Sequence, residues 1–400
     1  MAKKEEKVQG TKNVLGNDFF TELTKETDFK VAETGSLMHS RVKVKTPLAV
    51  LNCIYGGGIP LGILSEVSGV TKSGKSTFLY QCMGNYQKQY PDGIAVILDM
   101  EASMDNDRLE ALGVDPSRVL RLPASTIEGA FSNLFKLFNK LVGALDQYED
   151  LSMFCIYDSL AAGGTDSEQE AAHKGESTFG AGTMREDTRV LKHNLMSIFP
   201  YMEKFPIFMG FINQVFVHPN PYGGPAKVKS GGGNALKHLC HEHLVFSDPK
   251  DDLKGTFLVG TESKLSLEKS KLSPKMMNIP CYIDVTKGGR INEAQSFVEY
   301  LTDKSIGLIT SDAWCKFGMY LKLNMFSNYP ELGNKEELKT ILEKSYRKDD
   351  VYKLVSENED LFNFLQIALI DFLCDIYPAQ KIVTDDFKAE LISKCKYFIS

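Results

Sequence analysis

The 400-residue chain is 43% apolar and 24% charged, the proportions of a globular protein long enough for one large α/β domain and a smaller companion; disorder, a collagen-like fibre and a bare disulfide scaffold are excluded. Forty-six Lys and Arg against 52 Asp and Glu leave a net charge of -6, so nucleic-acid binding would have to come from a local basic patch. The eight cysteines are scattered, the nearest two being Cys374 and Cys395, which gives neither a CxxC metal hook nor a dense secreted framework and points to a reducing cytosol.

Residues 1–45 are polar and mixed in charge, with one helix expected at 17–25, no apolar leader and too few apolar residues to fold alone; they read as an arm. From residue 46 to about 295, short β-branched runs alternate with amphipathic stretches: ILSEVS (63–68), IAVILD (94–99), MFCIYD (153–158), PIFMGFINQ (206–214), HLVFS (243–247) and CYIDVT (281–286). This βαβ rhythm predicts an α/β core with a mostly parallel twisted sheet flanked by helices. Residues 296–400 read as a smaller, mostly helical domain with breaks at 330–333 and Pro378. Its richest apolar stretch, 362–377, is too short to span a bilayer and carries Asp371 and Asp375. Its apolar residues (Phe364, Leu365, Ala368, Leu369, Phe372, Leu373) recur at the spacing of a core helix face, so a cytoplasmic chain without a membrane segment is expected.

The run Gly69-Val70-Thr71-Lys72-Ser73-Gly74-Lys75-Ser76 follows one of these strands and precedes a helical stretch beginning at Thr77, the context a phosphate-binding loop requires. Its glycines permit a tight turn whose N–H groups point inward, and the helix start adds a positive dipole end. Lys75 would supply a point charge to the β/γ-phosphates of ATP, and the Ser76 hydroxyl a ligand for Mg²⁺. Asp158 closes the strand MFCIYD, the position of a carboxylate partner for that cation; a strand-terminal Asp also serves as a helix N-cap. Glu101, just beyond the next apolar strand, is the candidate base that orients the attacking water.

These residues, with Gly56-Gly57-Gly58-Ile59-Pro60-Leu61-Gly62, the DMEAS and DSLAA segments, Phe211-Ile212-Asn213-Gln214 and Gly232-Gly233-Asn234-Ala235-Leu236-Lys237 in that order, resemble the RecA recombinase family. The pieces VKVKTP, QYPD and LGVDPSRV resemble its bacteriophage, UvsX-type branch most. The resemblance implies a RecA-like P-loop ATPase core (46–295) between an N-terminal polymerisation arm (1–45) and a C-terminal domain (296–400). It implies a DNA-dependent ATPase that forms helical filaments on single-stranded DNA, pairs it with homologous duplex and exchanges strands, with ATP and Mg²⁺ as cofactors. Further copies of itself, a loader and a single-strand-binding protein are the implied partners. A ring-forming replicative helicase and an ATP-gated filament that binds no DNA are the rival readings.

By the same resemblance Gln214 senses the γ-phosphate, Asp105 and Arg108 lie at the adenine, where an aromatic is usual at Arg108, and Lys269 and Lys271 reach the ATP of an adjacent subunit. Two lysines at period two share a strand face, as they also would on a solvated edge guarded by Lys. Residues 216–237 hold Lys227, Lys229 and Lys237, no acid, and Tyr222 between Pro and Gly; with Gly232, Gly233 and Asn234 they suit a loop that tracks phosphates and stacks bases. A glycine-rich loop with incidental lysines is the blander alternative. Phe179 falls where the resemblance puts a base-separating apolar residue of the first DNA loop. Arg185 and Arg189, four apart on the following helix, either reach one phosphate backbone or form a solvated face. His238, Cys240, His241 and His243 raise a zinc reading, set against a metal-free strand in the family.

Overall fold

The apolar runs of the first 300 residues form strands where alternate residues find a helix layer on either side. The computed structural model describes residues 42–101, 104–148, 150–175, 183–218, 227–230, 233–377 and 385–399; for 183–185, 216–218, 227–230, 233 and 234 it describes the backbone alone. The expected arm helix at 17–25 lies outside the described residues.

Strands β1 (Lys43–Val44) and β2 (Ile59–Pro60) make a small antiparallel pair around the helix Ala49–Tyr55. The central sheet contains β3 (Ile63–Gly69), β4 (Ile94–Asp99), β5 (Val119–Pro123), β6 (Met153–Asp158), β7 (Ile207–His218), β8 (Lys227–Ser230), β9 (Glu242–Phe246), β10 (Lys250–Lys254), β11 (Phe257–Ser270), β12 (Met276–Asp284) and β13 (Arg290–Ile291). Their order is β13-β12-β11-β9-β3-β7-β6-β4-β5, with β10 paired to β11 and β8 to β7. The six strands from β9 to β5 run parallel. The fold is the mostly parallel, helix-flanked sheet that the alternating pattern predicts.

On β4, Ala95 and Ile97 join one apolar cluster while Val96 and Leu98 join the other, the period-two split of a strand buried on both faces. Helix Ile127–Val142 covers one face through Ile127, Ala130, Phe131, Leu134 and Phe138. Helix Lys75–Gln89 covers the other through Phe78, Leu79, Cys82, Met83 and Tyr86.

Helix Glu293–Leu301 runs across residues 295 and 296, and its Phe297, Val298 and Leu301 share that second cluster with Leu365 and Leu369 of the helix Glu359–Ile376. The latter is the core helix expected from the apolar spacing, and the Asn358 side chain caps it by accepting from Leu361 N–H at 2.9 Å. Three short strands, β14 (Ile309–Ser311), β15 (Cys315–Phe317) and β16 (Ser345–Tyr346), add an antiparallel sheet to this helical region. Among the described residues no helix is long and apolar enough to cross a membrane.

Candidate nucleotide site

The carboxyl end of β3 sits at the middle of the nine-strand path, with Gly69 paired to Gln214 of β7 on one side and Phe246 of β9 on the other. Crevices outside the carboxyl ends of such strands are where ligands of α/β sheets bind. The chain turns there through residues 69–74. Gly74 has φ 103°, so the turn depends on glycine for its backbone hand. Lys72 also adopts a left-handed conformation at φ 64°, an uncommon one for a residue with a Cβ.

Lys75 opens the helix Lys75–Gln89 and curls back over the loop, its Nζ donating to the Val70 carbonyl at 2.6 Å. Burial lowers its pKa, and the charges of Asp158 and Glu101 oppose that shift. The ammonium can exchange a loop carbonyl for a phosphate oxygen without leaving the cleft. Register places Asp99 of β4 beside Asp158 of β6. Burial pushes the Asp158 carboxyl up to about 6; the hydrogen bond from Tyr80 and the nearby Ser76 hydroxyl pull it down, and the charges of Glu101 and Asp99 push it further up. Tyr80 Oη donates to Asp158 Oδ2 at 2.6 Å. The Asp158–Ser159 peptide is cis, and the Ser159 hydroxyl donates to Glu101.

Thr71, Lys72, Lys75, Ser76, Thr77, Glu101, Asp105, Asp158 and Gln214 line one cleft of about 280 Å³. Gly69, Val70, Ser73 and Gly74 form the loop that bounds it. The cleft holds hydroxyl and carboxylate oxygens at Ser76 and Asp158, the hard donor set that suits Mg²⁺. Asp105 caps the helix Asn106–Ala111, its carboxylate accepting from Asp107 N–H at 3.1 Å. Arg108 on that helix donates to Thr77 Oγ1 at 3.0 Å and to the Gly288 carbonyl at 3.2 Å, so it closes the cleft wall against the phosphate-loop helix. Tyr80, Met104, Leu109, Ser159 and Ile212 also line the cleft and were not among the expected residues. The strand pattern reaches Ser159 and Ile212, but nothing local distinguishes Tyr80 from the core residues around it.

Lys269 and Lys271 do not line this cleft. Lys269 is paired with His243 across β11 and β9, and its Nζ donates to the carbonyls of Lys237 at 2.6 Å and Cys240 at 2.9 Å. Lys271 is exposed just past the end of β11. The cluster raised for zinc is otherwise engaged: His241 Nδ1 accepts from Leu64 N–H at 3.1 Å, and His243 Nδ1 lies 2.8 Å from Glu66 Oε2. Burial lowers the His241 pKa to about 4, with Lys271 and Lys269 adding to the shift.

Gln214 is not at a strand tip. β7 continues to His218 and pairs antiparallel with β8, Val215 opposite Ser230 and His218 opposite Lys227, because the β-branched and aromatic residues after Gln214 extend the strand and β8 supplies its backbone partner. Lys227 and Lys229 stand on β8, and Gly233 and Asn234 open the helix Gly233–Leu239. Arg185 and Arg189 both stand on the helix Thr183–Met196, where Arg189 is exposed. Phe179, Tyr222 and Gly232 lie outside the described residues.

A model of the RecA N-terminal domain matches residues 18–289. The chain is 28% identical over 262 residues to "Protein RecA" of Ureaplasma parvum, which spans 65% of this chain and 72% of that protein. It is 25% identical over 345 residues to "Protein RecA" of Chlorobaculum tepidum, covering 86% and 87% of the two chains, and 27% identical over 289 residues to that of a Nostoc species, covering 72% and 75%. The matched stretch exceeds half the chain and contains the phosphate loop, both strand-end carboxylates and Gln214, and on this basis the chain belongs to the RecA family of recombinases.

Proposed function

We propose that the protein is a DNA-dependent ATPase and strand-exchange recombinase, nearest in kind to the bacteriophage UvsX type and acting in the cytoplasm. In this reading it assembles on single-stranded DNA as an ATP-bound helical filament, pairs that strand with homologous duplex and exchanges the two. The arm at 1–45 serves polymerisation, 46–295 is the ATPase core with its DNA loops, and 296–400 is an appended domain; a loader and a single-strand-binding protein are the expected accessory partners.

The observation that carries the reading is the continuity of β7. Gln214 lines the nucleotide cleft, and the same strand runs on to His218 and into a hairpin with β8, where Lys227 and Lys229 stand. An amide that meets or loses a γ-phosphate is thereby joined by a few residues of paired backbone to a basic segment suited to single-stranded DNA. Phe179, Arg185, Arg189, Tyr222, Gly232, Gly233 and Asn234 complete the proposed DNA surface.

In the cleft, backbone N–H groups of residues 69–76 cradle the phosphates and Lys75 offsets charge on the β/γ-oxygens. Ser76 and Asp158 would hold the magnesium ion, which when bound neutralises phosphate charge. Glu101 orients a water toward the γ-phosphorus and accepts its proton. Asp105 and Arg108 wall the base end.

Register makes an in-chain role for Lys269 at this nucleotide untenable. His243, its partner, is level with Glu66, three residues before Gly69, so Lys269 lies roughly 10 Å along the strands and roughly 10 Å across them from the loop. A phosphate reached by Lys269 and Lys271 belongs to a neighbouring subunit. Electron microscopy with ATP and single-stranded DNA tests the whole: a helical filament is expected together with DNA-stimulated hydrolysis, and a closed ring or DNA-independent turnover would reject it.

A further inference from the structure

Helix Lys75–Gln89 leaves the phosphate loop with Ser76 in its first turn, and Tyr80 follows one turn later on the same face. The Tyr80 ring is 8% exposed and belongs to the apolar cluster that includes Phe78, Leu79 and Met83. The hydroxyl reaches the cleft and donates to Asp158 Oδ2 at 2.6 Å, the length of a charge-assisted O–H···O⁻ bond.

A strand-end carboxylate turns easily about its terminal bond, since that torsion is broad. Asp158 accepts from the Tyr80 hydroxyl, and Ser76 faces the same carboxyl from one turn earlier on the helix. Outer hydrogen bonds of this kind aim a ligating carboxylate, and their loss weakens metal binding although no ligand has been removed. We propose that Tyr80 is a positioning residue for the divalent cation that accompanies the nucleotide: its hydroxyl engages one oxygen of Asp158 and fixes the carboxylate plane, so that the other oxygen is presented together with the Ser76 hydroxyl. The inference rests on the assignment of the cleft to a magnesium nucleotide. Tyr80 acts through Asp158 and needs no contact with phosphate or water.

The test uses the full chain, a non-hydrolysable ATP analogue, and Mn²⁺ as a paramagnetic probe in place of Mg²⁺. In Tyr80→Phe the Mn²⁺ concentration at half-saturation should rise about tenfold or more, while analogue binding in metal-free buffer and Tm stay at their unaltered values. In an Asp158→Asn background the Phe substitution should add nothing, because the residue it acts through is already changed. An unchanged half-saturation in Tyr80→Phe overturns the proposal. So does an undiminished effect on top of Asp158→Asn, or a loss of analogue binding without metal, which marks a packing defect. If the unaltered protein binds no Mn²⁺ with the analogue, the nucleotide reading fails first and the inference falls with it.

Discussion

The ammonium of Lys269 lies 2.6 Å from the carbonyl oxygen of Lys237, and with a second bond to Cys240 it closes the carboxyl end of the helix Gly233–Leu239. Cations there satisfy carbonyls that have no intrahelical partner and complement the helix dipole. That helix follows the basic strand β8 by two residues, so one side chain ties β11 to the helix that leaves the proposed DNA segment. A neighbour's phosphate would compete with these carbonyls for the same ammonium.

The first prediction follows from that competition. Lys269→Ala with Lys271→Ala should leave nucleotide binding through the phosphate loop intact and abolish DNA-stimulated hydrolysis. Mixing these subunits with Lys75→Ala subunits should restore part of the turnover, since a junction pairing an intact loop with intact lysines can form. Turnover of the mixture no higher than that of either variant alone, with both still entering filaments, would place the lysines outside the neighbour's site.

Glu101→Gln keeps a hydrogen-bonding group beside Ser159 and removes the proton acceptor. ATP turnover should fall by about 10²-fold or more, while ATP-dependent binding to single-stranded DNA persists. A steady-state hydrolysis assay alongside a DNA-binding titration separates the two effects, and turnover near that of the unaltered protein would remove Glu101 from the role of base.

Lys227→Ala with Lys229→Ala should weaken single-stranded DNA binding almost equally for all sequences. The slope of log affinity against log salt should flatten by roughly 0.7 for each phosphate that is no longer neutralised. Tyr222→Ala should impair strand exchange with little change in that slope, because stacking releases no counterions. An unaltered slope in the double variant would put the DNA elsewhere.

The inner parallel strands were legible because they are buried on both faces and carry mostly apolar runs, such as IAVILD on β4 and MFCIYD on β6. β5 was not, because three of its five positions are exposed; neither was β10, exposed along its whole length. The phosphate loop is a local motif and could be read residue by residue. The Tyr80–Asp158 bond joins residues 78 apart, and the Lys269 contact with Lys237 joins residues 32 apart. Neither leaves a periodic trace, since each depends on which strands become neighbours in the sheet.

The last prediction concerns Glu242, which is fully buried on β9 between Ser65 and Ser270 and accepts from Ser270 Oγ at 3.2 Å. The Tyr55 hydroxyl faces the same carboxyl outside hydrogen-bond geometry. Burial pushes its pKa from 4.5 up to about 7, against the pull of those hydroxyls. Below pH 4.5 both folded and unfolded chains hold the proton, and no penalty arises. Between 4.5 and 7 the unfolded chain releases it while the folded chain retains it, so stability falls as pH rises. Above 7 both states are ionised and the full penalty is present, on the order of 3 kcal/mol at most. Glu242→Gln imitates the neutral acid and keeps a partner for Ser270. Thermal unfolding should therefore give nearly equal Tm values for variant and parent at pH 4 and a Tm higher by a few degrees for the variant at pH 8. A variant less stable at both pH values by the same amount would mean that the carboxylate is held ionised in the fold by its neighbours.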